Sequence, residues 1–329
     1  MGTLGKVAVL GGGAWATALA DVAVRAGNEV QLWARDGTTV DEINSVHRNE
    51  RYLPGVDLEK GIAATGDFAQ ALDGADIVLM AVPAQTFVEI TERMAPILKA
   101  GTAVVGCAKG IERASGKLPG EIIADALPGC PVASLSGPSF ALDVSRGLPT
   151  AVTIASRHME WSTWLARRLS ARTFRCYASD DLKGVELGGA LKNVLALGVG
   201  AARGLKLGAS AEAALVARGF AELSRLALAL GARPETLTGL SGLGDLVLTC
   251  SGPQSRNFAY GIALGEGRPL EGLKLAEGVF TASVALRLAR QHTIEAPIIE
   301  AVTHVIDRDI TAGEAVARLL ERPLKSETQ

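Results

Sequence analysis

Apolar residues in the first half of the chain fall into short runs: Lys6–Leu10, Glu29–Trp33, Ile62–Thr65, Asp76–Val82, Thr102–Cys107 and Pro131–Leu135. Each is rich in Val, Ile and Ala, and segments of helical length such as Ala14–Ala26 and Ala84–Lys99 lie between them. Near-continuous apolar strands separated by helices predict a parallel sheet covered on both faces. Runs at Ala151–Ala155 and Thr173–Tyr177 add edge strands, so the sheet is expected to finish near residue 178. After Ser179-Asp180-Asp181 the pattern changes to long Ala/Leu/Gly-rich stretches at 186–204, 210–231, 281–292 and 313–321. These predict an all-helical second domain. The expected fold is therefore an α/β domain over 1–178 followed by an all-α C-terminal domain over 179–329, with a polar tail, 322–329, that frays.

Composition narrows the function. Hydrophobic residues make up 48% of the 329, which excludes disorder and allows about two domains. Thirty-three basic against 35 acidic side chains give a net charge of −2, so no electrostatic case exists for nucleic acid. Cys107, Cys130, Cys176 and Cys250 stand far apart with no C-x-x-C pair, as expected of reduced, buried thiols in a cytoplasmic protein. The N-terminus runs straight into a glycine turn and shows no signal-peptide pattern. The longest apolar stretch, Leu187 to Ala202, carries Lys192 and is expected to be too short and too polar to span ~30 Å of hydrocarbon.

The strongest local signal is Gly11-Gly12-Gly13-Ala14-Trp15-Ala16, a G-x-G-x-x-A element placed after one strand and opening a helix. Gly11 permits the tight turn, Gly13 lets backbone approach a pyrophosphate, and small Ala16 lets helix and strand pack closely. Free amides at the helix N-terminus then meet the phosphate charge. Strand before, helix after and a second strand ending about 20 residues on make this a Rossmann-type dinucleotide site rather than a plain turn. At the end of that second strand stand Arg35 and Asp36. An acidic residue there holds the ribose hydroxyls of NAD, whereas arginine accommodates the 2′-phosphate of NADP. Arg35 comes first, so the expected cofactor is NADP(H), with NAD(H) tolerated.

Other chemistries lack their residues. Gly110 to Gly116-Lys117 has the wrong spacing for a Walker loop, and Leu118 replaces its Ser or Thr. No G-x-S-x-G elbow occurs, and the four histidines, at 47, 158, 292 and 304, have no metal-ligand spacing. Several polar residues instead interrupt apolar segments. Lys192 lies in an otherwise apolar helix, where an ammonium needs a partner or a polar cavity unless it snorkels to the surface. Lys109 follows the fifth strand at the carboxyl edge of the sheet, where open α/β folds bind ligands; a surface loop lysine is the alternative. Asp245, in a glycine-dense turn, either orients a lysine or caps a helix. Ser255-Arg256-Asn257 offers a hydroxyl, a guanidinium fork and an amide, in what reads as a loop, and arginine suits bidentate phosphate contact.

Taken together, the chain resembles the bacterial-type NAD(P)-dependent glycerol-3-phosphate dehydrogenases. The matching stretches are Gly11–Ala20, Ala108–Ile111, Leu135–Ala141, Glu186–Val194, Gly239–Leu246, Ser255–Asn257 and Glu277-Gly278 with Thr281-Ala282. They run in the family's order along nearly the whole chain. The resemblance implies reversible conversion of dihydroxyacetone phosphate to sn-glycerol 3-phosphate, feeding glycerophospholipid synthesis, by a homodimer. It also implies that Lys192 is the acid/base and that Lys109 contacts both substrate and cofactor. Gly137, Ser139, Asp245, Ser255, Arg256 and Asn257 match substrate-contacting positions. Gly11, Gly13, Ala14, Trp15, Arg35, Ala141 and Arg256, with Leu275 and Glu277, match cofactor-contacting ones. The segment from Gly261 to Glu277 is a few residues shorter than is typical of the family.

The expected mechanism is direct hydride transfer to the ketone carbon. Lys192 stabilises the developing alkoxide and delivers a proton, Asp245 orients Lys192, and Lys109 adds positive potential. Two other readings remain at this stage. One is a dehydrogenase of a hydroxy or keto acid, whose carboxylate Ser255-Arg256-Asn257 would bind. The other is a non-catalytic dinucleotide sensor that retains only the glycine loop.

Overall fold

The computed structural model describes residues 5–323. Of the tail 322–329 expected to fray, 324–329 lie outside the described residues. Two compact units divide the chain: Met1–Gly189 with Ala232–Asp245, and Ala190–Gly231 with Leu246–Gln329.

The first unit is built on an eight-stranded sheet: β1 (Lys6–Leu10), β2 (Glu29–Trp33), β3 (Ile62–Thr65), β4 (Ile77–Met80), β5 (Ala103–Gly106), β6 (Val132–Ser136), β7 (Thr150–Ser156) and β8 (Phe174–Ser179). Its order is β3-β2-β1-β4-β5-β6-β7-β8. The chain leaves β1 for β2 and β3 on one side and returns to β4 on the other. That reversal makes the carboxyl ends of β1 and β4 a topological switch point, where open α/β sheets bind ligands. Strand residues alternate between two cores. Val7 and Val9 face helix Ala14–Arg25 through Ala16, Leu19 and Ala23, while Ala8 and Leu10 pack with Phe87, Ile90, Met94 and Ile123. Both faces are covered, which is why the strands read as unbroken apolar runs.

Two departures from expectation have local causes. The sheet is parallel through β6, but β7 runs antiparallel to β6 and β8 parallel to β7. The β6–β7 link holds only the short helix Ala141–Ser145, which packs on Ala14–Arg25 instead of crossing over the sheet. The segment 84–99 is not one helix: a 3₁₀ turn, Ala84–Thr86, leads into Phe87–Met94, which stops there. Ala95 keeps helical backbone and donates to the Thr91 carbonyl oxygen, but Pro96 after it has no N–H with which to continue the ladder.

The second unit is helical. Its helices are the later turns of Leu182–Gly204, then Ala209–Ala229, Arg256–Gly265, Glu277–Gln291, Pro297–Ile306 and Ala312–Leu320. Glycines draw two of them together. A Cβ on Gly200 would fall 2.2 Å from the Phe258 carbonyl oxygen, and one on Gly261 2.2 Å from that of Leu197. Gly204 and Gly265, one turn further along each helix, are as confined. Backbone therefore meets backbone between Leu182–Gly204 and Arg256–Gly265.

Leu182–Gly204 corrects one expectation. Its 23 residues make it long and apolar enough to cross a membrane by length and composition, because the helix begins five residues before the apolar stretch at Leu187. Yet 94% of its apolar window is buried inside the protein, the mark of a core helix.

Candidate active site

In the first unit the glycine turn has the expected construction. Gly11 has φ +130°, and a Cβ there would sit 2.8 Å from the Ala81 carbonyl oxygen, so no side chain fits. Ala16 is fully buried beside it. Gly13 caps the helix Ala14–Arg25 in extended conformation with no side-chain cap, and the space beyond its Cα is open. The first turn has no side-chain cap and no acidic residue, which leaves its amides suited to a pyrophosphate. The indole Nε1 of Trp15 is buried without a hydrogen-bond partner. An orphaned donor beside an anion-ready helix end fits a dinucleotide that supplies the missing acceptor. Arg35 is exposed at the end of β2, and Ala141 opens the helix after β6.

At the carboxyl ends of β5 and β6 the Lys109 ammonium donates to the Gly137 carbonyl oxygen at 2.8 Å and lies 2.8 Å from the Asp245 carboxylate. Asp245 is 1% exposed. It follows a π-type turn, Leu240–Gly244, and begins the short helix Asp245–Thr249, so its carboxylate balances a lysine charge in a nearly dry place. Gly137 has φ +143°, and a Cβ there would meet Val152 at 2.9 Å. The Ser139 hydroxyl donates to the same Gly137 oxygen at 3.0 Å. The Ser136 hydroxyl is buried without a hydrogen-bond partner, and Gly189 leaves room for it: a Cβ there would fall 2.6 Å away. Glu186, fully enclosed, accepts from Ser134 Oγ at 2.6 Å and from Gly120 N at 2.7 Å. Burial pushes its carboxyl up to about 7, against the lowering effect of those two donors.

In the second unit Lys192 is 4% exposed and donates to the Thr249 hydroxyl in a very short contact. The surface alternative for Lys192 is thereby excluded. Asn193, beside it, accepts from Asn257 Nδ2 at 2.9 Å, and Asn257 Oδ1 accepts from Gly278 N at 2.9 Å. Gly278 is required there, since a Cβ would lie 2.5 Å from the Asn193 carbonyl oxygen.

The segment 255–257 is not a loop. Ser255 is the N-cap of Arg256–Gly265, its hydroxyl accepting from Phe258 N at 3.3 Å. A polar triplet before an apolar run is a helix start signal, and that period was hidden by the glycines of the helix. The consequence favours anion binding: the exposed Arg256 guanidinium stands at the positive end of a helix. Leu275, 43% exposed, and Glu277, first residue of Glu277–Gln291, precede and open the next helix.

Three residues escaped the sequence reading. Thr249 partners Lys192; its signal was a threonine one helical turn beyond Asp245, closing the run Leu246–Leu248. Asn193 was visible as a polar break in an apolar helix, but its tie to Asn257 needed the fold. Glu186 matched only as part of a motif, and nothing local marks it as buried. Among the described residues no three His, Cys, Asp or Glu side chains gather as a metal site.

Comparison with known proteins agrees with this chemistry. Residues 6–162 match the family model for the NAD-dependent glycerol-3-phosphate dehydrogenase N-terminus, and 181–317 match that for its C-terminus. Glycerol-3-phosphate dehydrogenase [NAD(P)+] of Chelativorans sp. (strain BNC1) is 57% identical over 321 residues, covering 98% of each chain. The enzyme of the same name from Mesorhizobium japonicum is 57% identical over 323 residues, 98% of this chain and 94% of that one. The crystal structure of glycerol-3-phosphate dehydrogenase from Coxiella burnetii superposes with a TM-score of 0.91 at 41% identity, covering 97% of this chain and 99% of that one. With both family models matched over most of the chain and relatives 57% identical along nearly its whole length, the chain belongs to the NAD(P)-dependent glycerol-3-phosphate dehydrogenase family.

Proposed function

We propose that this chain interconverts dihydroxyacetone phosphate and sn-glycerol 3-phosphate, with Lys192 as the acid/base. The observation that carries the reading is a lysine buried in an apolar helix with its ammonium on the Thr249 hydroxyl. An ammonium fixed in a nearly dry place is costly to bury, and such groups cluster at functional sites.

A bound nicotinamide coenzyme supplies the hydride for the ketone carbon. Gly11, Gly13, Ala14 and Trp15 hold its pyrophosphate end, Arg35 its ribose, and Ala141, Leu275 and Glu277 further parts. Reduction puts negative charge on the ketone oxygen, and Lys192 stabilises that charge and then donates a proton, general acid work worth ~10²–10⁴-fold. Thr249 fixes the direction of the ammonium. Lys109 adds positive potential, and its ion pair with Asp245 aims it. Arg256, Ser255 and Asn257 take the substrate phosphate, and Gly137 and Ser139 line the substrate wall. A remote dianion gripped in this way sets the distance of the ketone from the coenzyme.

In this reading residues 1–178 form the NAD(P)-binding domain, which also lends Lys109, Gly137 and Ser139 to the substrate, and 179–329 form the substrate-binding and dimerisation domain, which lends Leu275 and Glu277 to the coenzyme. The active form is a cytoplasmic homodimer whose product enters glycerophospholipid synthesis. The test follows loss of reduced coenzyme with dihydroxyacetone phosphate and, in parallel, with a short 2-keto acid. Turnover is expected with the phosphate ester alone. Lys192→Ala should lower kcat by ~10²–10⁴-fold while NADPH binding, read by nucleotide fluorescence, stays within a few-fold. Near-normal turnover in that variant, or preference for the keto acid, overturns the proposal.

A further inference from the structure

A carboxylate at the end of β2 is where a ribose diol would be held, and Asp36 occupies that place. Its oxygens are committed elsewhere. Oδ1 accepts from Thr38 N at 3.3 Å and caps helix Gly37–Val46; Oδ2 accepts from Thr39 Oγ1 at 2.8 Å and from Arg51 Nη1 at 3.2 Å. The Thr39 hydroxyl, then the Thr38 amide and Arg51, hold this carboxyl below the usual carboxylate range, so it stays ionised against Arg51.

Arg51 is far from the glycine turn in sequence but fastened to it in space. Asn49, completely buried, donates from Nδ2 to the Gly12 carbonyl oxygen at 3.0 Å and to Thr17 Oγ1 at 2.8 Å. The Asn49 carbonyl oxygen accepts from Tyr52 N at 3.1 Å and Leu53 N at 2.7 Å, closing the turn that carries Arg51. Gly12 itself packs under Ala34 and Thr39; a Cβ on it would fall 2.8 Å from Ala34 Cβ. The guanidinium of Arg51 lies over the Tyr52 ring, 5.2 Å from its centre. Arg51 is thus tied to Asp36, the neighbour of Arg35 at the end of β2, and that carboxylate is engaged in a cap and an ion pair.

We infer that Arg51 is a second recognition residue, beside Arg35, for the 2′-phosphate of the coenzyme's adenosine ribose, and that Asp36 positions Arg51 instead of holding the ribose. The inference rests on the dinucleotide reading of the glycine turn. It makes this chain favour NADP(H), since a 2′-phosphate dianion meets two guanidinium groups while a bare diol meets a carboxylate that already accepts three hydrogen bonds and pairs with Arg51.

The experiment is calorimetric titration of the full chain with adenosine 2′,5′-bisphosphate and with 5′-AMP, which lacks the 2′-phosphate. Arg51→Ala should reduce the ratio of the two affinities about tenfold, the low end for a charged hydrogen bond at an exposed site. Arg172→Ala, the same charge change on another exposed residue, should leave that ratio in place. Asp36→Asn keeps a competent helix cap, and should leave 5′-AMP affinity unchanged while the bisphosphate binds as tightly or more so. An unchanged ratio in Arg51→Ala overturns the assignment of Arg51. Loss of 5′-AMP affinity in Asp36→Asn would make Asp36 a ribose ligand and overturn its positioning role. If wild type binds neither nucleotide, the dinucleotide reading itself fails and takes this inference with it.

Discussion

Glu186 allows a stability prediction to be worked through from geometry. Its carboxyl is enclosed, with Oε1 between Ser134 Oγ and Gly120 N, and burial raises it from 4.5 to about 7 in the folded protein. A carboxyl raised on folding binds its proton more tightly in the native state. Below about pH 4.5 both states are protonated and the fold has its full stability. As pH rises from there towards 7, the unfolded chain ionises first and the native state loses ground; above 7 the loss is complete and constant. Two and a half units at about 1.4 kcal/mol each put that loss at about 3.5 kcal/mol. Glu186→Gln cannot ionise and keeps an oxygen for both donors, but its amide hydrogens need partners, a cost of about 1–2 kcal/mol. The variant should therefore be less stable than wild type near about pH 5 and equal or more stable near about pH 8, and the two curves should cross. Asp21, raised to about 6, and Glu222, raised to about 7, remain in both proteins, so the readout is the difference between the curves. Urea unfolding followed by circular dichroism at several pH values measures it. Parallel curves would show that Glu186 ionises in the fold no less readily than in the open chain, and the burial argument would be wrong.

Two further outcomes are expected. Arg256→Ala should raise KM for dihydroxyacetone phosphate about 10–100-fold with a smaller change in kcat, as loss of a charged phosphate contact would; steady-state kinetics against substrate concentration decide it, and an unchanged KM removes Arg256 from the phosphate site. Gly261→Ala places a Cβ 2.2 Å from a backbone oxygen, so one helix must move: a loss of about 1–3 kcal/mol in thermal or urea unfolding is expected, and a Tm equal to wild type would refute the close approach.

What was legible in the sequence follows from the range of the forces involved. The strands of the first unit are local: an apolar run between turn residues is sufficient, and β1 to β8 fall within a residue or two of the expected positions. The glycine turn is equally local, because Gly11 answers to Ala81 and Ala16 and its motif encodes the demand. Pairings across long separations were not legible. Nothing near Lys109 says that its charge meets Asp245, 136 residues on, nor does Lys192 announce Thr249, 57 residues away. The antiparallel β7 was hidden for a similar reason. Its direction depends on where the connecting helix Ala141–Ser145 packs, and strand composition does not record that.

The glycines of the second unit show how such long-range placement is nonetheless encoded. Gly200 and Gly204 on one helix and Gly261 and Gly265 on the other repeat at four residues, so each pair lies on one face. Removing four side chains lets the two backbones touch, at an entropic cost of roughly 0.5–1 kcal/mol for each glycine within a helix. That cost has a structural return at the site. The helix drawn in is the one capped by Ser255 and opened by Arg256 and Asn257, and the helix it meets carries Lys192 and Asn193. Close approach is what brings Asn257 within 2.9 Å of Asn193, and Gly278 admits the third strand of contacts by leaving the Asn193 carbonyl uncovered. The proposed phosphate-binding residues and the proposed acid/base thereby stand on two helices in backbone contact, which would keep the phosphate grip and the proton donor at a fixed separation. A lysine's own flexibility would not provide that spacing; the glycine faces do.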